Sequence, residues 1–283
     1  MEERTHAHAA GLLANIGLAV AKLIVGVAVG SQVLVADGMN STGDVLATGI
    51  GWLGFTLGRR PADDGHPYGH GAFEAAAGLV IGAVLLLTGV LVSVEGLLAL
   101  TAGAHQAPGS AAVGVAVVTA IVKEALYRYT IHEAERLHSP ALRASARDHR
   151  ADVGLALTVG AAVLGARWGA PWIDPLAAVL VGLWIVWMSW EPLRTNLGVL
   201  LDESPPGVAD EVATVAASVE GVIEVVRVRV HTLGPTHSAD VEIAVDGGWT
   251  VTAAHDVAHA VEDAVVEALG AVTEVRVHVQ PAG

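Results

Sequence analysis

Val35-Ala36-Asp37-Gly38-Met39-Asn40-Ser41-Thr42-Gly43-Asp44-Val45 sets two acids and an amide into an otherwise apolar stretch, and Asp148-His149-Arg150-Ala151-Asp152-Val153 does the same further along the chain. Asn40 with Asp44, and Asp148 with Asp152, are spaced i, i+4, so each pair shares one helix face a turn apart. A carboxylate in hydrocarbon costs about 2.5–3.5 kcal/mol even on lenient scales. Three of them on two apolar segments point to a cation held between the segments. Helix-to-helix hydrogen bonds, or salt bridges to Lys22, Lys123, Arg147 or Arg150, are the competing explanation. The set Asn40, Asp44, Asp148 and Asp152 offers only oxygen, which suits Mn2+ or Mg2+ better than Zn2+ or Cu2+. Asp37, on the same face as Asn40, reads as a supporting group.

The composition agrees with a membrane setting. Of 283 residues 53% are hydrophobic and only 16% charged, against roughly 25% charged in soluble globular proteins. Aromatics make up 4%, so the apolar content is Ala, Val, Leu and Gly, which suits close helix packing in lipid. Cysteine is absent, which removes disulfides, thiolate metal sites and thiol redox chemistry. Apolar runs long enough to span a bilayer fall at about 9–29, 33–58, 73–100, 110–130, 141–166 and 172–191. The first run reads as a retained span, with no small-residue cleavage site behind it. Arg4, Arg59, Arg60, Arg136, Arg143 and Arg194 fall on one side and Arg167 on the other. By the positive-inside rule both termini are then cytoplasmic.

After Leu201 the pattern changes to a helix at 208–219, strands at 222–230 and 239–245, a helix at 251–269 and a strand at 272–279. This order is that of a small α+β domain, with Gly234-Pro235 as the turn between its first two strands. The division is a six-span domain over 1–201 and a cytoplasmic domain over 202–283. The second part carries 3 Lys+Arg against 14 Asp+Glu, a balance that repels nucleic acid and tolerates divalent cations.

The quoted stretches resemble the second and fifth spans of the cation diffusion facilitator (CDF) family. The loop Arg60-Pro61-Ala62-Asp63-Asp64-Gly65-His66-Pro67-Tyr68-Gly69-His70-Gly71 is similar to that family's most recognisable segment. The resemblance implies an all-α bundle of six transmembrane helices with a ferredoxin-like α-β-β-α-β cytoplasmic domain for dimerisation and regulation. It implies a homodimer in the cell (inner) membrane that exports a divalent cation against protons, with no enzyme activity and no cofactor besides the metal it carries.

The family's transport site maps to Asn40, Asp44, Asp148 and Asp152. Zinc-type members commonly carry His or Asp at the position of Asn40 and His at that of Asp148. This chain differs at both and resembles the manganese-exporting branch, in agreement with the oxygen-only ligand set. Zinc, iron, cobalt or cadmium export is the alternative within the family.

The resemblance places an accessory metal site on Asp63, His66 and His70. A turn held by these side chains without metal is the bland reading. In the cytoplasmic domain it points to His255 and His278, with Glu242 or Asp240 as a further ligand, while Val226 and Gln280 leave a binuclear arrangement incomplete. His6, His8, His105, His132 and His138 read as solvated. Ala72 stands where relatives often carry a cation, so Asp202 lacks the partner that latches some dimers.

Two other function classes compete. An intramembrane metallohydrolase needs a metal-bound water beside a general base and usually His ligands, and the quartet has none. A metal sensor that binds without translocating differs from an exporter only in flux. Moving two positive charges out against an inside-negative potential costs about 4.6 kcal/mol per 100 mV. Carboxylates left bare by the departing ion repel one another and take up protons, which offsets that cost by antiport.

Overall fold

The structure is a computed structural model that describes residues 2–103, 107–136, 140–234 and 236–282. His105, His138 and Pro235 lie outside the described residues, as do the side chains of His6 and His8. Six long helices come first: α1 (Glu2–Val29), α2 (Gln32–Gly58), α3 (Ala72–Thr101), α4 (Ala111–Arg136), α5 (Pro140–Arg167) and α6 (Ile173–Leu200). They match the apolar runs closely except at three ends. α1 starts earlier, α4 continues to Arg136, and α6 runs nine residues beyond 191 through an internal Pro192. Loss of hydrophobicity marks where a helix leaves hydrocarbon, not where its hydrogen-bond ladder stops. A proline removes one donor from that ladder, and α6 continues past it.

Long exposed apolar side chains cover the outward faces of these helices. Leu13, Ile24 and Val27 do so on α1, Leu87, Leu91 and Leu98 on α3, and Trp184, Trp187 and Trp190 on α6. A helix apolar on its outside as well as its inside belongs in lipid. α1, α3 and α6 contain segments long and apolar enough to cross a membrane, over Leu12–Val29, Ala72–Thr101 and Ile173–Leu200. α2, α4 and α5 are more polar because they carry Asp37, Asp44, Lys123, Asp148 and Asp152. The chain thus joins a helical transmembrane domain to a small C-terminal α+β domain.

By its contacts the chain divides into two compact units, residues 1–50 with 80–192 and residues 51–79 with 193–283. In the first, Val33, Leu34, Val92, Val159, Val163 and Ile185 form a dry core with alanines Ala112, Ala116 and Ala178. α4 packs most extensively on α5, and α1 on α4. Small residues let the helices approach closely. A Cβ on Gly38 would lie 3.1 Å from the backbone nitrogen of Leu23. This closeness of α1 to α2 carries Lys22, one residue away, to Asp37.

The start of α2 is fixed from another helix. Asp174, at the start of α6, accepts from the Ser31 hydroxyl at 2.7 Å and from the backbone N–H groups of Gln32 and Val33 at 2.5 and 3.3 Å. Helix N-termini leave such donors without intrahelical partners, and a carboxylate there also complements the helix dipole. Asp174 and Ser31 are both buried, so this cap is a tertiary bond that sets where the site-bearing helix begins.

The second unit contains α7 (Val208–Ala217), β1 (Glu224–Leu233), β2 (Thr236–Val245), α8 (Val251–Ala268) and β3 (Val272–Pro281). The sheet order is β1-β2-β3, with β1 antiparallel and β3 parallel to β2. The parallel pair needs a crossover, which α8 supplies. Thr250 caps α8 by accepting from the Ala253 N–H at 3.2 Å. Ala239, Val241, Ile243 and Val245 alternate inward from β2 to meet Val212 of α7 and Val261 and Val265 of α8. The opposite sheet face is polar, with Arg227, Arg229, Asp240, Arg276 and His278 exposed on it.

Replacing Asp174 with Ala leaves the buried Ser31 hydroxyl and two helix N–H groups unpaired, a loss of about 1–3 kcal/mol. The detergent-solubilised protein is expected to melt several degrees lower, while Asp174→Asn, which keeps an acceptor, recovers part of the difference.

Candidate metal centre

On α2, Asp37, Asn40 and Ser41 are buried, and Asp44 is half-buried one turn beyond Asn40. On α5, Asp152 is half-buried and Asp148 exposed. Asp44 lies in the electrostatic field of Asp152, Lys123, Lys22 and Asp148, and Asp148 in that of Asp152 and Lys123. The three carboxylates of the sequence-derived quartet therefore share one electrostatic environment across two helices. Their oxygens do not converge as a group to within 4.8 Å; among the described residues the cluster that does so is in the loop after α2.

Two lysines meet these acids. Lys22 Nζ lies 2.9 Å from Asp37 Oδ2 and donates to Ser41 Oγ at 2.9 Å. Lys123 Nζ donates to Asp152 Oδ2 at 2.5 Å. Of the four cations that could neutralise the acids, Lys22 and Lys123 have this role. Arg150 instead pairs with Glu124 and sits 5.1 Å over the Tyr127 ring. Asp37, beside the quartet on α2, is held in a buried ion pair. His149 is buried next to Asp148, with its Nδ1 lacking a hydrogen-bond partner.

The loop between α2 and α3 brings Asp63, His66 and His70 together. Asp63 Oδ1 accepts from the backbone N–H groups of Gly65 and His66 at 3.0 and 2.7 Å and faces His66 Nδ1 at 3.1 Å. These bonds, the His66 backbone first, hold the Asp63 carboxyl below the usual carboxylate range. His70 Nδ1 is 3.0 Å from the Pro61 carbonyl, which can only accept, so this nitrogen carries the proton. His70 Nε2, the other ring nitrogen, lies 3.3 Å from Asp63 Oδ2. That separation is about the edge of a tetrahedron built on ~2.0 Å metal–ligand bonds. A histidine whose outer nitrogen is fixed by a carbonyl is also the usual arrangement of a metal ligand. The turn-organising bonds and the ligand geometry coexist here.

The C-terminal domain separates its candidates. Glu242 of β2 and His278 of β3 are register neighbours on the polar sheet face. His255 lies on α8, which packs against the opposite face. Glu242 also accepts from Arg227 Nε at 3.0 Å. This bond, aided by Arg229 and His278, holds the Glu242 carboxyl below its ordinary range.

His255 instead meets His259, Nε2 to Nε2 at 3.1 Å, and His259 Nδ1 faces Glu262 at 2.9 Å. His259 was not among the ligands read from the sequence, although its i, i+4 spacing from His255 was visible there. Asp202 Oδ1 lies 4.0 Å from His231 Nδ1. His132 is exposed.

Residues 9–201 match the family model described as the cation efflux transmembrane domain, and residues 205–282 match that of the cation efflux protein cytoplasmic domain. The chain belongs to the cation efflux, or cation diffusion facilitator, family. It is a membrane protein of divalent metal cation efflux. It is 31% identical to the uncharacterized transporter YdbO of Bacillus subtilis, over 95% of this chain and 93% of that one. It is 29% identical to the manganese efflux system protein MneP of the same organism, over 95% and 93%. With the magnetosome protein MamM of Paramagnetospirillum magneticum it shares 32% identity over 90% and 81%.

In this efflux protein, Asp63→Ala is expected to weaken binding of Co2+ at the loop by roughly 10–100-fold, read from the visible absorption of the full-length protein during titration. The Arg227–Glu242 bond predicts a pH effect. A carboxyl depressed in the folded state contributes stability above its unfolded value of about 4.3, and that stability is lost as pH falls through the lower folded value. Arg227→Gln should therefore flatten the fall in melting temperature on acidification below that pH.

Proposed function

We propose that the chain exports Mn2+ in exchange for protons, as a homodimer working by alternating access. One observation carries this reading: Asp44, Asp148 and Asp152, which share a common field across α2 and α5, form with Asn40, one turn before Asp44, an oxygen-only set without imidazole. Hard oxygen donors favour Mn2+ over the borderline ions that imidazole selects. Likeness to a manganese efflux protein over nearly the full chain supports the same choice. Metal and proton compete for the same carboxylate oxygens, so loss of one accompanies gain of the other.

In this reading residues 1–201 form a six-span domain in the cell (inner) membrane, with both termini in the cytoplasm. Residues 202–283 form a cytoplasmic domain that tunes transport through its own metal ligands. The loop trio Asp63, His66 and His70 and the histidines His255 and His278 serve as accessory sites. Metal bridging two acidic cytoplasmic domains neutralises their repulsion and favours one arrangement of the dimer, which is the differential affinity regulation requires.

The test is flux in proteoliposomes with Mn2+, Zn2+, Fe2+, Co2+ and Cd2+. Asp44→Ala and Asp152→Ala are each expected to abolish Mn2+ flux while the protein still inserts and dimerises. Asp148→His, which brings in imidazole, should move the preference toward Zn2+. Full Mn2+ flux in either alanine variant overturns the site, and an unchanged metal ranking in Asp148→His removes the quartet as the source of selectivity.

A further inference from the structure

The two buried lysines are chemically alike but differently placed. Lys22 and Lys123 are each 2% exposed. Lys22 is paired with Asp37, whose side chain is also 2% exposed, and with the Ser41 hydroxyl. That pair is sealed on both sides. Lys123 is paired with Asp152, whose side chain is 22% exposed, and Asp148 one turn earlier on α5 is exposed as well. A buried ammonium here holds a carboxylate that can still be reached from outside. Lys123 also acts on Asp37, Asp44 and Asp148, so its charge is felt by every acid of the cluster.

When all four are ionised, Asp37, Asp44, Asp148 and Asp152 against Lys22 and Lys123 carry a formal excess of two negative charges, the amount one divalent cation supplies. With Lys123 Nζ 2.5 Å from Asp152 Oδ2, a divalent ion at about 2.0–2.2 Å from the same oxygen would face the ammonium at close range, and that repulsion is strong in a site of low dielectric.

We propose that Lys123 is a built-in competitor for Asp152, holding that carboxylate when no metal is bound and swinging off it when a divalent cation arrives. This rests on the reading of Asp152 as a transport ligand. Such a competitor makes the site bind less tightly than its carboxylates alone would, and conduction needs an ion held weakly enough to leave. It also sets a threshold that a monovalent ion, bringing no more charge than the ammonium it displaces, does not pass. Lys22 has no such role, since neither Asp37 nor Ser41 belongs to the ligand set.

The experiment measures equilibrium Mn2+ binding to the full-length dimer in detergent, from the free-Mn2+ paramagnetic resonance signal. Asp63→Ala and His255→Ala are present throughout so that the membrane ion is counted. Lys123→Met is expected to lower Kd by at least about tenfold, Lys22→Met by less than about threefold, and Lys123→Arg to stay near the parent. In proteoliposomes Lys123→Met should lower KM and kcat together, since the ion binds more tightly and leaves more slowly.

Equal gains in Lys123→Met and Lys22→Met would show a field effect without competition and overturn the proposal. So would an unchanged Kd in Lys123→Met. Asp152→Ala separates the two claims. If it binds Mn2+ like the parent, the ligand reading fails; if it loses Mn2+ while Lys123→Met changes nothing, that reading stands and the competitor role falls. Should Lys123→Met not elute as a folded dimer, Lys123→Gln repeats the measurement with the same expected gain.

Discussion

Charge buried inside a bundle of apolar helices has to be matched by another group of the protein, and that requirement organises this membrane domain. Lys22 on α1 answers Asp37 on α2, Lys123 on α4 answers Asp152 on α5, and Asp174 on α6 answers the open N-terminus of α2. Each tie joins a different pair of helices. In lipid the hydrophobic effect does not distinguish one helix face from another, so such bonds, with glycine and alanine contacts, decide which faces meet. The residues that specify the packing therefore overlap with those of the proposed transport site. A substitution at Asp152 touches both at once, which is why its effect on folding has to be read separately from its effect on transport.

Much of this was legible in the sequence. The i, i+4 spacing of Asn40 with Asp44 and Asp148 with Asp152 needs only a helix to put each pair on one face, and α2 and α5 are helices across both. The α-β-β-α-β order of the C-terminal domain followed from the change of hydrophobic period alone. Helix ends beyond the apolar runs were less visible, because Glu191, Pro192 and Arg194 end the hydrophobic signal while α6 continues to Leu200. The choice among Lys22, Lys123, Arg147 and Arg150 was not legible at all. It depends on how α1 and α4 are rotated against their neighbours, which no local pattern records.

The histidines of the C-terminal domain show the same limit. Glu242 and His278 are even-numbered positions on parallel neighbouring strands, and past the register shift near Val272 the inward residues of β2 and β3 are the odd-numbered ones. Alternation then puts both on the polar face, while α8 carries His255 on the other side. Once the register is known, grouping His255 with His278 in one protomer loses its geometric support. His255 with His259 gains support from their contact.

The chain thus keeps two ligand chemistries apart. Oxygen groups lie on α2 and α5, and imidazoles lie in the loop and in the C-terminal domain. The loop is not isolated from that domain, since both belong to the second compact unit. Arg276 of β3 stands 5.3 Å from the Tyr68 ring, and Tyr68 together with Glu274 raises the guanidinium above its ordinary range. A cation over an aromatic face is a modest bond, but its position matters. Tyr68 lies between His66 and His70, and Arg276 lies two residues before His278 on the same strand face. Ordering of the loop around its imidazoles therefore bears directly on the strand that presents His278. The loop that carries His66 and His70 and the strand that carries His278 are thus joined through this contact.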